Sequence, residues 1–135
     1  MTIFNTSNSS SKKRKEFPIN QILVIDDEVP ILNMLKLMLT RIGFLVDTAE
    51  SGEEGIKKIN SNKYALILTD IKMSELNGIE VLKQVKEIDK NIEVIILTAY
   101  GTIDSAIEAI KLGAFHYITK PFQTDVLLIT ISRSL

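Results

Sequence analysis

With 135 residues the chain is long enough for one domain with a real core and too short for two ordinary ones. A hydrophobic share of 45% and a charged share of 24% exclude wholesale disorder, and no apolar run reaches the ~20 residues of a membrane-spanning helix. The absence of cysteine excludes disulfides and thiolate metal sites and makes a reducing cytoplasm the default compartment.

The first sixteen residues, "MTIFNTSNSSSKKRKE", set Lys12, Lys13, Arg14 and Lys15 against Glu16, so this segment carries +3 and the remainder −4. Its basic run lacks the apolar segment of a secretory signal, and 1–16 is read as a flexible polar tail ahead of one domain at 17–135. A mildly acidic domain is not expected to present a nucleic-acid surface.

The first apolar run, "ILVI" at 22–25, predicts a buried strand, and Asp26, Asp27 and Glu28 follow it directly. Adjacent carboxylates repel one another, so a plain turn would carry glycine, asparagine or a single aspartate there. A positive charge is missing from the sequence. Next, "PILNMLKLMLTRI" predicts a helix opened by Pro30, ended by Gly43 and buried along Ile31, Met34, Leu35, Met38 and Ile42. "FLVDTA" is the second strand, and "SGEEGIKKIN" the second helix, capped by Ser51. Gly55 inside that helix costs roughly 0.5–1 kcal/mol relative to alanine and is given no function.

"YALILTD" is a third strand closing on Asp70, followed by the helix "NGIEVLKQVKEI". "EVIILTA", a fourth strand, carries Thr98 near its end, and "TIDSAIEAIKLG" predicts a helix buried along Ile103, Ile107 and Ile110 with Gly113 behind it. "FHYIT" leads to Lys120, and "QTDVLLITISRSL" predicts a last helix. Its Val126, Leu127, Leu128, Ile129 and Ile131 cover more of the circumference than one core-facing stripe requires, so part of it is expected to face a partner, the alternative being a helix packed deeply into its own domain.

Apolar strands that each precede a helix imply a doubly wound α/β fold, a five-stranded parallel sheet sandwiched by five helices. Its active crevice lies at the carboxyl ends of the strands. Those ends collect Asp26, Asp27, Asp70, Thr98 and Lys120. Polar residues belong at strand ends in any case, but five with roles in one reaction weaken that plainer reading. Three converging carboxylates make an oxygen-ligand site for Mg²⁺ or Mn²⁺, which supplies the missing charge. Asp70 is best placed as a nucleophile towards phosphorus, with Lys120 pairing with it or its phosphoryl oxygens and the Thr98 hydroxyl bonding another oxygen.

The marks "VIDDE", "LTDIKMSELNG", "LTAYG" and "ITKPF" occur in an order and spacing that resemble the receiver domain of two-component response regulators, a flavodoxin-like fold, across residues 22–135. The run "TAYGTIDSAIEAIKLGAFHYITKPF" is most similar to the nitrogen-regulation class, whose receivers precede an ATPase module and a DNA-binding module for transcription regulation. The resemblance implies that Asp70 takes a phosphoryl group from the phosphohistidine of a sensor histidine kinase. It also implies Mg²⁺ held by Asp27, Asp70 and the backbone carbonyl of Lys72, with Asp26 acting largely through water. Thr98 and Lys120 match the family's hydroxyl and lysine, and Tyr117 the aromatic that changes rotamer as Thr98 is drawn to the phosphoryl group. A homodimer on phosphorylation and a cis peptide between Lys120 and Pro121 are further expectations. Ser74 stands where the family usually has proline.

His116, the only histidine, is expected to lie on an edge strand or to face solvent, the phosphodonor histidine belonging to another protein. A flavin-binding flavodoxin shares the alternation, but Asp26, Asp27 and Glu28 would repel its phosphate. A metal-dependent phosphatase needs a second acid and a cap, for which no insertion is long enough. The intact acidic set argues against a degenerate receiver that only binds proteins.

Overall fold

The structure, a computed structural model, describes residues 20–73, 75–99 and 101–135; the basic tail expected at 1–16, with Ser74 and Tyr100, lies outside them. Strand and helix alternate five times: β1 (Gln21–Ile25), α1 (Val29–Ile42), β2 (Leu45–Ala49), α2 (Gly52–Ser61), β3 (Leu66–Thr69), α3 (Gly78–Ile88), β4 (Glu93–Thr98), α4 (Ile103–Lys111), β5 (His116–Thr119) and α5 (Thr124–Ser134). The strands form one parallel sheet in the order β2-β1-β3-β4-β5. Chain order reverses between β1 and β3, which opens a crevice at their carboxyl ends. Among the described residues no helix is long and apolar enough to cross a membrane.

Alternating strand residues feed two cores, because successive side chains point to opposite faces. Leu23, Ile25, Ile67, Val94 and Ile96 meet α2, α3 and Ala109 of α4 on one side. Ile22, Val24, Leu66, Leu68, Ile95 and Leu97 meet α1 and α5 on the other. Helix ends follow local chemistry. Pro30 lies in the first turn of α1, Gly43 closes it with φ 118°, and the Ser51 and Asn77 side chains accept the Glu54 and Glu80 N–H groups at the starts of α2 and α3.

Gly55 has a packing reason that the sequence did not disclose. A Cβ there would lie 2.4 Å from Ile25 Cδ1, so its bareness lets α2 lie directly on β1.

Two predicted stripes are rotated. In α1 the buried residues are Leu32, Leu35 and Leu39, while Met34 and Ile42 are exposed and Ile31 and Met38 pack at the margin. The helix is apolar almost all round, so two overlapping i, i+3 registers fit its sequence and periodicity cannot choose between them. In α4 the expected stripe faces outward: Ile103 is 80% exposed, and Ile107 and Ile110 are exposed too. The side turned to the sheet carries Ser105, Ala109 and Leu112, whose small members permit close approach. In α5, Leu127 and Ile131 are buried and Leu128 half-buried, leaving Val126 and Ile129 outside.

Candidate functional site

Ladder hydrogen bonds run one residue past the strands and set the two inner carboxylates side by side. The Asp26 N–H donates to the Ala49 carbonyl at 3.1 Å, and the Asp70 N–H to the Ile25 carbonyl at 3.0 Å. Each side chain is then aimed by a backbone amide in the following loop, Glu28 N–H to Asp26 Oδ1 at 2.9 Å and Ile71 N–H to Asp70 Oδ1 at 2.7 Å. Both aspartates are buried, whereas Asp27 is exposed, and one carboxylate oxygen from each of the three lies within 4.8 Å of the others. Lys120 reaches in from the end of β5, its N–H held by the Thr98 carbonyl at 2.9 Å. Its ammonium donates to Asp26 Oδ2 at 2.6 Å and lies 3.5 Å from Asp70 Oδ2. The Lys120–Pro121 bond is cis, as expected.

Lys120 therefore answers Asp26 more closely than the Asp70 partner expected of it, because it spans the two most buried carboxylates. Burial pushes the Asp26 carboxyl up, against the opposing pull of the Lys120 hydrogen bond. Burial alone would lower the Lys120 ammonium, but the hydrogen bond and charge of Asp26, then Asp70 and Glu28, outweigh it and hold it above its ordinary value. The three converging carboxylates outnumber the Lys120 ammonium that pairs with two of them, an excess of negative charge. An all-oxygen donor set with that excess fits a hard divalent cation. Asp27, Glu28, Asp70 and Lys72 line a cleft of about 230 Å³ that opens onto it. Glu28, third of the sequence triplet, is exposed beside α1 and is not one of the three converging carboxylates.

Thr98 is fully buried at the end of β4. Tyr117 pairs in register with Ile96, two residues before Thr98, so Tyr117 and Thr98 share a face of the sheet. The Tyr117 ring is half-buried over Gly101, where a Cβ would stand 2.2 Å from its hydroxyl, and that hydroxyl is 3.0 Å from Ser105 Oγ. His116 is exposed on the edge strand, as expected.

Sequence reasoning misses Gly78, Gly101 and Ser105. A Cβ on Gly78 would fall 2.0 Å from the Asp70 carbonyl oxygen, so only glycine lets α3 start against the backbone of the aspartate. For Ser105 a signal existed, since Thr102 and Ser105 have the spacing of a capping box.

The response regulator receiver domain family matches residues 22–132. The transcriptional regulatory protein ZraR of Klebsiella oxytoca is 40% identical over 114 residues, 84% of this chain but 26% of that protein, so the chain spans about a quarter of the curated relatives it matches. Among solved structures, the response regulator TrrA of Thermotoga maritima in complex with Mg²⁺–BeF superposes with a TM-score of 0.79 at 37% identity, covering 86% of this chain and 99% of that one. The beryllofluoride-activated NtrC4 receiver domain dimer gives 0.81 at 34%, covering 85% and 95%, in keeping with the nitrogen-regulation resemblance. With the family's match running from the first residues of β1 to the last turns of α5, the chain belongs to the response regulator receiver domains.

Proposed function

We propose that Asp70 is the phosphoacceptor of a two-component signalling system. The observation that carries this reading is a buried carboxylate at the end of β3 with Asp26, Asp27 and the Lys120 ammonium gathered round it. A carboxylate oxygen of Asp70 bonds to phosphorus as the P–N bond of a histidine kinase's phosphohistidine breaks, and the imidazole leaves with the electron pair and takes up a proton. Asp26, Asp27, Asp70 and the backbone carbonyl of Lys72 would hold Mg²⁺, or Mn²⁺ of the same oxygen preference, which when bound neutralises charge on the phosphoryl oxygens. Lys120 pairs with one phosphoryl oxygen and the Thr98 hydroxyl bonds another.

The domain acts on itself, promoting its own phosphorylation and dephosphorylation, and is not an enzyme for a separate substrate. Beside the site, Ile31, Met34, Pro121 and Phe122 line an apolar cleft of about 460 Å³. As Thr98 is drawn to the phosphoryl group, Tyr117 follows, and the change reaches an ATPase and DNA-binding output outside this chain or a second copy of the receiver. The outward isoleucines of α4 and α5 support the second route.

The test is mass spectrometry after treatment with acetyl phosphate. One phosphoryl group should appear with Mg²⁺ present, fail to form when EDTA is present throughout, and be absent from Asp70→Asn. Modification of that variant to the wild-type level would sink the assignment.

A further inference from the structure

Helix α4 is lightly attached. Among the described residues its one buried side chain is Ala109, and its three isoleucines are exposed. An element with so little apolar burial has low local stability, so polar contacts at its end weigh heavily in its placement.

Those contacts converge on the hydroxyl of Ser105. The Ser105 N–H donates to Thr102 Oγ1 at 3.0 Å, Thr102 N–H donates to Ser105 Oγ at 3.0 Å, and Ser105 Oγ donates to the Thr102 carbonyl at 3.0 Å. A serine oxygen has one proton and two lone pairs. With the proton on the Thr102 carbonyl and one lone pair taken by the Thr102 amide, the second accepts from the Tyr117 hydroxyl at 3.0 Å. Thr102 Oγ1, 3.2 Å from Ser105 Oγ, is the competing donor for that lone pair. If Tyr117 leaves, Thr102 can take its place and Ser105 stays satisfied, so releasing the ring does not strand a polar group. Gly101 adds an independent observation, because any side chain there would occupy the space of the Tyr117 hydroxyl.

We infer that Ser105 is a positioning residue that holds Tyr117 in its seat over Gly101 and ties the first turn of α4 to β5. This rests on the proposed reading of Tyr117 as the residue that moves with the phosphoryl group. The tie makes the tyrosine and the helix end one unit, so displacing the ring loosens α4.

The experiment follows Tyr117 by NMR of the protein carrying ¹³Cε-tyrosine, the signal being assigned with Tyr117→Phe. Ser105→Ala should lower the ratio of seated to released ring roughly two- to tenfold, moving the Tyr117 signal and leaving that of Tyr64 in place. Ser105→Thr, which keeps the hydroxyl, should restore the wild-type position. Gly101→Ala should displace the ring without touching the capping box, and it carries the test should Ser105→Ala fail to fold. In Tyr117→Phe, amide exchange in the first turn of α4 should quicken by a similar factor, and an unchanged rate overturns the tie to the helix. An unmoved signal in folded Ser105→Ala, or in Gly101→Ala, overturns the seat. Adding Mg²⁺ and beryllofluoride separates the two ideas. A wild-type signal that ignores the mimic while Ser105→Ala moves it overturns the switch and upholds the tether; a wild-type response with no effect of Ser105→Ala does the reverse.

Discussion

Lys120 Nζ lies 2.6 Å from Asp26 Oδ2, and both side chains are largely buried, at 11% and 4% exposure. Truncating one member of such a pair strands the other charge, at a cost of about 3 kcal/mol. Lys120→Met should therefore lower the melting temperature of the metal-free protein. The same change removes a cation that competes for the carboxylates, so added Mg²⁺ should raise the melting temperature of this variant more than that of wild type. In Asp27→Ala the Mg²⁺ gain should vanish. Thermal melts with Mg²⁺ or EDTA check all three, and an equal gain in Asp27→Ala and wild type would remove Asp27 from the ligand set.

Alkaline stability should be governed far from the site, at Tyr64. Its hydroxyl donates to Asp47 Oδ2 at 2.7 Å, and Gln21 supplies a second donor to the same oxygen at 3.0 Å. Burial, then the hydrogen bond and charge of Asp47, push the phenol well above its ordinary 10.0. A folded-state value above the unfolded one means the contribution is whole below that ordinary value and is lost as pH rises through the folded value. Tyr64→Phe should cost about 1–2 kcal/mol at neutral pH, and the gap to wild type should narrow from pH about 10 upward. Urea unfolding across that range reads it. A gap constant into strong alkali would mean the bond is not what the substitution removes.

Two glycines should differ in their tolerance of alanine. At Gly78 the new methyl would meet the backbone carbonyl of Asp70 at 2.0 Å, which cannot give way without moving the aspartate. At Gly55 it would meet the flexible end of Ile25, and better helix propensity offsets about 1 kcal/mol of the crowding. Gly78→Ala should lose roughly 2 kcal/mol or more and phosphorylate slowly. Gly55→Ala should lose less and keep its rate. Equal losses in denaturant melts would show that α3 can shift off the Asp70 backbone.

On α5 Ile129 is the more exposed of the two outward apolar residues, at 54%, whereas Leu128 packs against the core shared with α1. Ile129→Arg should leave stability within about 0.5 kcal/mol of wild type and blunt any dimerisation induced by Mg²⁺ and beryllofluoride. Leu128→Arg should lower stability in the monomer itself. Sedimentation velocity paired with thermal melts separates them, and an unaltered dimer in Ile129→Arg would move the contact off this face.

The order of elements was legible because apolar runs and helix punctuation are local signals: Pro30, Gly43 and Ser51 each do what their chemistry dictates. The acidic site was legible for a different reason, since carboxylates at strand ends have few structural uses. What could not be read was which helical face turns inward. Hydrophobicity favours Ile103, Ile107 and Ile110, yet the sheet accepts Ala109 because close approach needs a small residue. The roles of Gly78 and Gly101 were hidden likewise, as was the Tyr117 contact of Ser105, because each depends on how close the fold brings another residue. Whether Lys120 leans to Asp26 or Asp70 is a matter of an ångström, finer than sequence spacing resolves.

The strand order distributes rigidity across the sheet. Asp26 and Asp70 extend β1 and β3, each clamped by a ladder on both flanks, so the reacting groups ride on strands that cannot drift without breaking two sets of bonds. Tyr117 lies on β5, an edge strand secured by β4 alone. Stiffness thus falls off from the chemistry towards the rim. A small displacement that the interior strands resist is passed to the margin, the part of the sheet with a free side into which it can yield.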